Sequence, residues 1–213
     1  MFATLISISK PLVKNINTAE DFISFCARVS NPSNQLNIET APRLLKYLID
    51  HKHWSPYEMV SFTVEIKTSR AIAAQILRHR SFSFQEFSQR YACTTGLQDI
   101  EWRMQGKTNR QVGEDPFELS LELAEKVNNV QKNSIKLYET LINSGVAKEC
   151  ARMILPLNTS TTLYMTGNVR SWIHYLDLRT KEDTQKEHRL IAEDVKKIFI
   201  KEFPITSCAL NWI

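Results

Sequence analysis

Glycine is scarce in this sequence, and no glycine-rich phosphate-binding loop occurs. Only 5 of the 213 residues are glycine, and neither the Walker pattern nor the Rossmann pattern is present. Their absence excludes these two kinds of loop, which bind nucleotide phosphates through backbone N–H groups. We therefore expect that any bound phosphate is held in another way.

Cysteines are few and scattered, and long apolar runs are missing. Cys26, Cys93, Cys150 and Cys208 form no CxxC pair, and no Cys-His spacing suits a metal. We expect reduced thiols and no metal site. No stretch approaches 18 apolar residues, and residues 1–14 do not have the charged and then apolar order of a signal peptide. These absences predict a cytoplasmic protein without a membrane span.

The surplus of positive charge is small. The 27 Lys and Arg residues against 23 Asp and Glu residues give a net charge of +4, too little to neutralise a long nucleic-acid backbone. The 43% hydrophobic and 23% charged content is typical of a globular protein. With no repeat, low-complexity tract or linker, residues 1–213 are predicted to form a single domain.

Periodicity and capping residues predict a mixed α+β fold. Strands are expected at residues 4–9, 60–67 and 159–165, and the second alternates most clearly between apolar and polar side chains. Helices are expected to begin after Thr18, at Thr40, after Thr68 or Ser69 and after Asn168, and a last helix is expected over roughly 185–202. A long helix is expected with Asp115 as its N-cap, Pro116 as its first residue and Gly145 at its end. A short helix is expected to follow it and to end at Leu155.

Several of these segments carry expectations about burial. The first helix is expected to bury Phe22, Ile23, Cys26 and Val29, and residues 92–115 are expected to form an irregular loop. The Leu and Val stripe at residues 119–142 is expected to pack within the subunit or between subunits. Residues 181–189 are expected to form a solvated helix face, and Trp54 and Tyr57 to lie in the core or an interface.

The densest run of chemically active side chains lies at residues 75–91. If the preceding helix continues, Gln75, Arg78 and His79 share one face, which would suit an anion or a heterocycle. An extended continuation would place Glu86, Ser88 and Arg90 on one side, with a bend near Gln85 where the spacing of Phe residues changes. Composition alone supports equally well a solvated basic helix end followed by a core-packing Phe segment.

This run resembles the RHRxxSxNxxSxR motif of the flavin-dependent thymidylate synthases. It matches at Arg78, His79, Arg80, Ser83, Ser88 and Arg90, while Gln85 replaces the usual Asn. The similarity continues at ARVS (27–30), HWSPYE (53–58), AQILRHR (74–80), ARMILP (151–156) and NVRSWIHYLDLR (168–179). Little can be matched between residues 92 and 130.

The resemblance implies a fold, a reaction and an assembly. The fold is an α+β arrangement in which a twisted, largely antiparallel sheet is flanked by helices. The reaction converts dUMP to dTMP, with methylenetetrahydrofolate as the carbon donor and NADPH-reduced FAD as the hydride source. The assembly is a homotetramer with shared active sites, and neither nucleic acid nor a membrane is an expected partner.

The resemblance also implies roles for particular residues. It places FAD against Ser30, His53, Ser55, Glu58, Arg78, His79, Arg80, Glu86, Asn168, Arg170 and His174. It places dUMP against Gln75, Arg78, Glu86, Phe87, Ser88, Gln89, Arg90, Arg152 and Arg179. Of these, Ser88 and Arg179 are expected to act at the reacting nucleotide, Ser88 by orienting dUMP and Arg179 by activating the uracil ring.

Elementary chemistry agrees with several of these roles. Guanidinium groups suit phosphates because their planar fork donates two parallel hydrogen bonds. Arg170 and His174 stand at i and i+4 near a predicted helix N-terminus, whose dipole favours anions. No cysteine has the Pro-Cys-His setting of the classical thymidylate synthases, and a flavin hydride offers a route without that nucleophile.

Other interpretations remain open at this point. Taken alone, Arg179 could cap a helix by donating to its last carbonyls. His51 and His53 could be C-cap or solvent-facing residues at the end of a helix. Cys93 has no paired base that would make it catalytic. The protein as a whole could be a nucleic-acid-binding module that uses the basic run and its Phe residues, or a phosphotransfer enzyme with Glu86 as base. A visible spectrum would separate the three, because only the flavoenzyme is yellow.

Overall fold

The computed structural model describes residues 1–213 and has a four-stranded antiparallel sheet at its centre. The sheet strands are β1 (Phe2–Ile8), β2 (Ser61–Ser69), β3 (Ser83–Glu86) and β6 (Ser160–Asn168), in the spatial order β1-β2-β6-β3. A separate two-stranded hairpin consists of β4 (Arg103–Gln105) and β5 (Gly113–Pro116). Mixed helices around an antiparallel sheet confirm the predicted α+β class.

The fold contains eight α-helices. They are α1 (Ala19–Ala27), α2 (Ala41–Asp50), α3 (Arg70–Ile76), α4 (Leu121–Asn143), α5 (Lys148–Ala151), α6 (Val169–Arg179), α7 (Lys186–Glu202) and α8 (Pro204–Ala209). Three short 3-10 turns cover Pro32–Asn34, Ser55–Glu58 and Arg152–Ile154. Phe203 caps the end of α7 and the start of α8, which begins at Pro204, and the sequence analysis missed this last helix.

The two faces of the sheet differ because side chains alternate along each strand. The inner face carries Val64, Met165 and Phe84, which are aligned across three strands and pack in the core. The outer face carries polar neighbours such as Glu65 and Tyr164, whose hydroxyl donates to the carboxylate over 3.0 Å. Helices from both ends of the chain cover only the inner face, and their apolar side chains complete one core.

Polar caps begin three of the helices where the sequence places them. Thr18 and Asp21 form a reciprocal capping box at α1, Ser69 accepts from the backbone N–H of Ile72, and Asn168 accepts from that of Ser171. Ser69 and Asn168 end strands β2 and β6 as they begin α3 and α6. Both helices are therefore anchored directly to neighbouring central strands.

The segment between β3 and α4 differs from the prediction. The expected irregular loop at residues 92–115 contains the β4–β5 hairpin, and Leu97 forms a bridge with Thr159. Asp115 and Pro116 do not begin the long helix, because Pro116 is paired with Arg103 in the hairpin. The N-cap is Ser120, whose hydroxyl accepts from the N–H of Leu123.

Two burial expectations were also wrong, those for Val29 and for residues 181–189. Val29 is exposed because α1 ends at Ala27 and Arg28 takes the C-cap position. Within one chain the 119–142 stripe packs little, since Leu121, Val130 and Leu137 are exposed and Tyr138 is the one fully buried residue of α4. Packing between subunits stays a prediction for this stripe. Residues 181–189 are not one solvated face, because α7 begins at Lys186 and turns His188 into the core.

None of these helices combines the length and the apolar composition that crossing a bilayer requires. The longest, α4, has 23 residues but carries charged side chains along its length.

Candidate active site

The Arg-His-Arg run occupies a turn at the end of α3, not a helix face as predicted. The helix ends at Ile76, and the N–H groups of Arg78 and His79 bond to the carbonyls three residues earlier. This tightening turns the arginines and the histidine away from the direction that a continued helix would give. Arg78 and Arg80 are exposed, whereas His79 is half-buried.

His79 holds the arginine at the far end of α6. The Nε hydrogen of Arg179 is donated to Nε2 of His79 over 3.0 Å, and the ring of His79 lies edge-on to Tyr175 with centroids 4.8 Å apart. Burial and the nearby guanidinium lower the pKa of His79 to about 4, so the ring is a neutral acceptor at pH 7. Arg179 therefore does not cap the helix carbonyls.

Gln75 lies beside this pair in a partly buried polar cluster. Its amide nitrogen donates to Oε1 of Gln185 over 2.6 Å, and its oxygen lies 3.4 Å from Nδ1 of His188. Nε2 of His188 is 3.0 Å from the hydroxyl of Tyr175. The cluster thus joins α3, α6 and α7 around the residue that the sequence analysis assigned to dUMP.

Glu86 ends β3 on the inner face of the sheet, where two donors hold its carboxylate. Nη1 of Arg70 lies 2.5 Å from Oε1, and the hydroxyl of Thr161 donates to the same oxygen over 2.9 Å. The chain leaves the sheet after Phe87, whose N–H still bonds to the carbonyl of Thr162. The bend therefore follows Phe87 and does not lie near Gln85.

Ser88 begins a turn, and so does not share one side of a strand with Glu86 and Arg90. Its carbonyl accepts from the N–H groups of Tyr91 and Ala92. A cavity of about 570 Å³ opens beside it and is lined by Gln85, Glu86, Phe87, Ser88, Tyr91, Ala92, Thr162 and Tyr164. Gln89 is buried next to the cavity residues, and its amide nitrogen has no hydrogen-bond partner.

The N-terminus of α6 gathers a second group of predicted residues. Arg170 forms an ion pair with Glu58, and His174 lies edge-on to Trp54 with centroids 4.9 Å apart. Burial and Arg170 lower the pKa of His174. Ser55 begins the same 3-10 turn as Glu58, and Tyr57 within it is fully buried with its hydroxyl donating to the carbonyl of Leu45.

The remaining predicted residues lie in other places. Ser30 lines a cavity of about 440 Å³ with Arg28, Asn31 and Thr40. His53 is exposed, 6.0 Å from the ring of Tyr47. Arg152 is half-buried in the 3-10 turn after α5, where its Nε donates to the carbonyl of Glu149. One chain therefore brings the predicted residues into several groups, and not into one closed pocket.

The sequence analysis missed Arg70, Thr161, Gln185 and His188, which contact predicted residues directly. Arg70 is the first helical residue after a strand, so its position near Glu86 had a weak local signal. Gln185 and His188 had none, because they lie 110 and 113 positions from Gln75. Only the packing of α7 against α3 brings them there.

The donor set suits a ligand that carries phosphates. Arg78, Arg80 and Arg90 are exposed and form no ion pair with a carboxylate of this chain, so three guanidiniums remain available for anions. The dinucleotide FAD and the mononucleotide dUMP both present such groups. The residues therefore fit the expected cofactor and substrate.

Comparisons with known proteins identify the family of this chain. The family model described as "Thymidylate synthase complementing protein" matches residues 11–205. The chain is 52% identical over 216 residues to a "Probable flavin-dependent thymidylate synthase" of Paramecium bursaria Chlorella virus 1, with 100% of both chains covered. It is 50% identical over 217 residues to a "Flavin-dependent thymidylate synthase" of Synechocystis sp., again with 100% of both covered.

A solved structure shares the fold. The UMP/dUMP methylase PolB from Streptomyces cacaoi, bound with 5-Br dUMP, superposes with a TM-score of 0.84 at 24% identity, over 99% of this chain and 94% of that one. The sheet with its flanking helices and the match over residues 11–205 define an enzyme of the thymidylate synthase class. The chain belongs to the flavin-dependent thymidylate synthase family.

Proposed function

We propose that this protein converts dUMP to dTMP, taking the carbon from methylenetetrahydrofolate and the hydride from FAD that NADPH reduces. The observation that carries the proposal is the contact between Arg179 and His79. It joins the end of NVRSWIHYLDLR to the Arg-His-Arg run, so two motifs 100 positions apart are in direct contact. The names of the two relatives at 50–52% identity support the same activity.

Arg179 is proposed to activate the uracil ring. Its Nε donates a hydrogen bond to His79, and the guanidinium has no other hydrogen bond within the chain, so its terminal nitrogens remain free. A guanidinium placed at N3 and the adjacent carbonyl would stabilise the anion left when N3 loses its proton. Electron density is then pushed towards C5, and no cysteine nucleophile is needed.

Ser88 is proposed to bind and orient dUMP. It lines the cavity beside β3, and no histidine or carboxylate hydrogen-bonds to its hydroxyl, so nothing in the chain activates it as a nucleophile. Gln75, Glu86, Phe87, Gln89, Arg90 and Arg152 are the further proposed dUMP contacts. Because these residues fall into separate groups in one chain, the proposal includes a homotetramer in which subunits share each site.

FAD is proposed to bind Arg78, His79 and Arg80 together with Ser30, His53, Ser55, Glu58, Glu86, Asn168, Arg170 and His174. When bound and reduced, FAD supplies the hydride. Arg78 and Arg80 provide phosphate contacts, and the N–H groups at the N-terminus of α6 add a positive dipole end beside Arg170. The methyl donor and NADPH are co-substrates in this scheme.

A visible spectrum and a product assay test the proposal. Purified protein incubated with FAD is expected to turn yellow, to bleach with NADPH, and to form dTMP from dUMP and methylenetetrahydrofolate. Arg78→Ala is expected to weaken FAD binding about tenfold or more, whereas Arg110→Ala, which removes another exposed guanidinium, should not. Protein that stays colourless in excess FAD, or yellow protein that makes no dTMP, contradicts the proposal.

A further inference from the structure

A continuous chain of hydrogen bonds runs through Gln75 and ends at the β4–β5 hairpin. This polar chain consists of Tyr175, His188, Gln75, Gln185, Glu187 and Arg103. Beyond the contacts of Gln75 already given, Nε2 of Gln185 donates to Oε2 of Glu187 over 2.9 Å, and Nη2 of Arg103 donates to Oε1 over 2.6 Å.

The carboxylate of Glu187 sets the direction of every bond in the polar chain. An ionised carboxylate only accepts, so Gln185 must turn its nitrogen towards Glu187 and its oxygen towards Gln75. Gln75 must then turn its nitrogen towards Gln185 and its oxygen towards His188. His188 must carry its proton on Nδ1, which leaves Nε2 to accept from Tyr175.

The charge states agree with this direction. Burial alone would raise the pKa of Glu187, but the hydrogen bonds from Arg103 and Gln185 lower it below its ordinary value, so the carboxylate is ionised. Burial, Arg179 and His79 lower the pKa of His188 to about 3, so its ring is neutral and carries a single ring proton at pH 7. Burial raises the pKa of Tyr175, which therefore keeps its hydroxyl proton.

We infer that the polar chain is a positioning device that holds the Gln75 amide in one orientation and leaves its second N–H as a donor for the nucleotide. The inference rests on the proposed function, in which Gln75 contacts dUMP. Phosphate oxygens, ring carbonyls and sugar oxygens are all acceptors, so Gln75 can hydrogen-bond to a nucleotide through these atoms only if its amide nitrogen faces them. A flipped amide would present its oxygen to them.

The inference gives the β4–β5 hairpin a role. Arg103 lies in the 92–130 segment, where no motif could be matched, yet its guanidinium is almost completely enclosed and reaches Glu187 on α7. Through Glu187 and Gln185, the hairpin is linked to an amide on α3 that lies three residues before Arg78. Gln185, Glu187 and His188 are therefore positioning residues, and Gln75 is the group that meets the nucleotide.

Gln185→Met tests the inference at a half-buried site. Methionine has a similar length but neither donor nor acceptor capacity of comparable strength, so the nitrogen of Gln75 loses its fixed partner. The KM for dUMP and the Kd for dUMP of the FAD-loaded tetramer are both expected to rise about tenfold, while kcat changes less than about threefold. Gln98→Met is the matched control, because Gln98 is also half-buried but hydrogen-bonds to Ser160 outside the polar chain.

A pair of substitutions at His188 separates positioning from packing. In His188→Asn the side-chain amide can still donate to the oxygen of Gln75, whereas in His188→Leu nothing can. Both variants remove the acceptor of the Tyr175 hydroxyl, so the loss of that bond is common to the pair. We expect the KM for dUMP to stay within about threefold of wild type for Asn and to rise about tenfold for Leu.

The outcomes distinguish this inference from the proposed function. Wild-type protein that binds neither FAD nor dUMP overturns the proposed function itself. Wild-type protein that makes dTMP, with Gln185→Met indistinguishable from it in KM and Kd for dUMP, overturns the positioning role alone. An equal loss in Gln185→Met and Gln98→Met also overturns it. If His188→Leu fails to fold, the comparison of the two Met variants still decides.

Discussion

The guanidinium of Arg179 is held from one side by Nε2 of His79, 3.0 Å from its Nε. The imidazole itself packs nearly at right angles against the ring of Tyr175, so the planar fork beyond Nε is oriented before any ligand binds. Such preorganisation is what an arginine needs in order to stabilise charge that develops during a reaction. The following expectations depend on this pair and on the elements that support it.

Arg179→Ala is expected to retain FAD and its reduction by NADPH but to lose dTMP formation. Removing about 3 kcal/mol of charge stabilisation would slow turnover roughly a hundredfold or more. Arg179→Lys should rescue poorly, because one ammonium cannot both donate to His79 and clamp two ring atoms. Turnover at saturating dUMP, compared at equal flavin absorbance, gives the answer. Near-normal turnover of the alanine variant would leave Arg179 with a structural role only.

Stability is expected to fall as the solution becomes more acidic than about pH 6.5. The pKa values of His79 and His188 are lowered to about 4 and about 3, so the unfolded chain binds more protons than the folded chain between those values and about 6.5. A fully shifted ring contributes about 2 kcal/mol between pH 7 and pH 5. Because solvent screens the half-buried His79, the free energy of unfolding should drop by roughly 2–4 kcal/mol over this range.

Urea unfolding at fixed temperature measures this dependence on pH. His79→Gln removes one of the rings whose pKa is lowered and should flatten the profile. A profile that is equally steep in the wild type and His79→Gln would refute the assignment.

Gly167→Ala is expected to destabilise the fold and to disturb the Arg-His-Arg turn. A Cβ at Gly167 would lie 2.5 Å from Cδ1 of Phe82, so the buried ring would have to move. Such overpacking costs roughly 1–3 kcal/mol. The N–H of Phe82 bonds to the carbonyl of His79, so FAD affinity should fall as well. Gly96→Ala is the control, because its Cβ would meet only Ser160 at an ordinary 3.4 Å.

Arg170→Ala is expected to weaken FAD binding while changing global stability little. The pair of Arg170 and Glu58 is partly exposed, so its loss should cost less than about 1 kcal/mol of unfolding free energy. Loss of the guanidinium beside the α6 N-terminus, however, leaves Glu58 unpaired where phosphates are proposed to bind. Fluorescence titration should show weaker FAD binding by about tenfold or more, with a smaller loss for Arg170→Lys. Unchanged affinity in both variants would place FAD elsewhere.

Removing all four cysteines is expected to leave dTMP formation within about twofold of wild type. Cys93, Cys150 and Cys208 are exposed and Cys26 is half-buried, and none is paired with another. Ser at the exposed positions and Ala at Cys26 avoid placing a hydroxyl in a partly apolar site, where burial raises the pKa of the native thiol. Loss of turnover confined to Cys93→Ser, in folded yellow protein, would assign that thiol a role in the reaction.

The local sequence was sufficient wherever one short segment specified its own structure. Strand β2 follows from strict alternation, and α1, α3 and α6 begin at Thr18, Ser69 and Asn168 because these side chains bond to backbone N–H groups within their own turn. The resemblance at residues 78–90 and 168–179 was sufficient for the family. Neither kind of signal needs a distant partner.

Only the tertiary structure decided where the Arg-His-Arg run points, where α4 begins and what surrounds Gln75. The run leaves α3 after Ile76, and Pro116 joins β5 because a neighbouring strand can pair with it, which no helix-capping rule anticipates. His188 and Gln185 reach Gln75, and Arg179 reaches His79, across 100 or more positions. The sequence determined which side chains the protein has for the reaction. Long-range packing decided which of them meet, because such contacts depend on how helices settle on the sheet and leave no periodic trace in the chain.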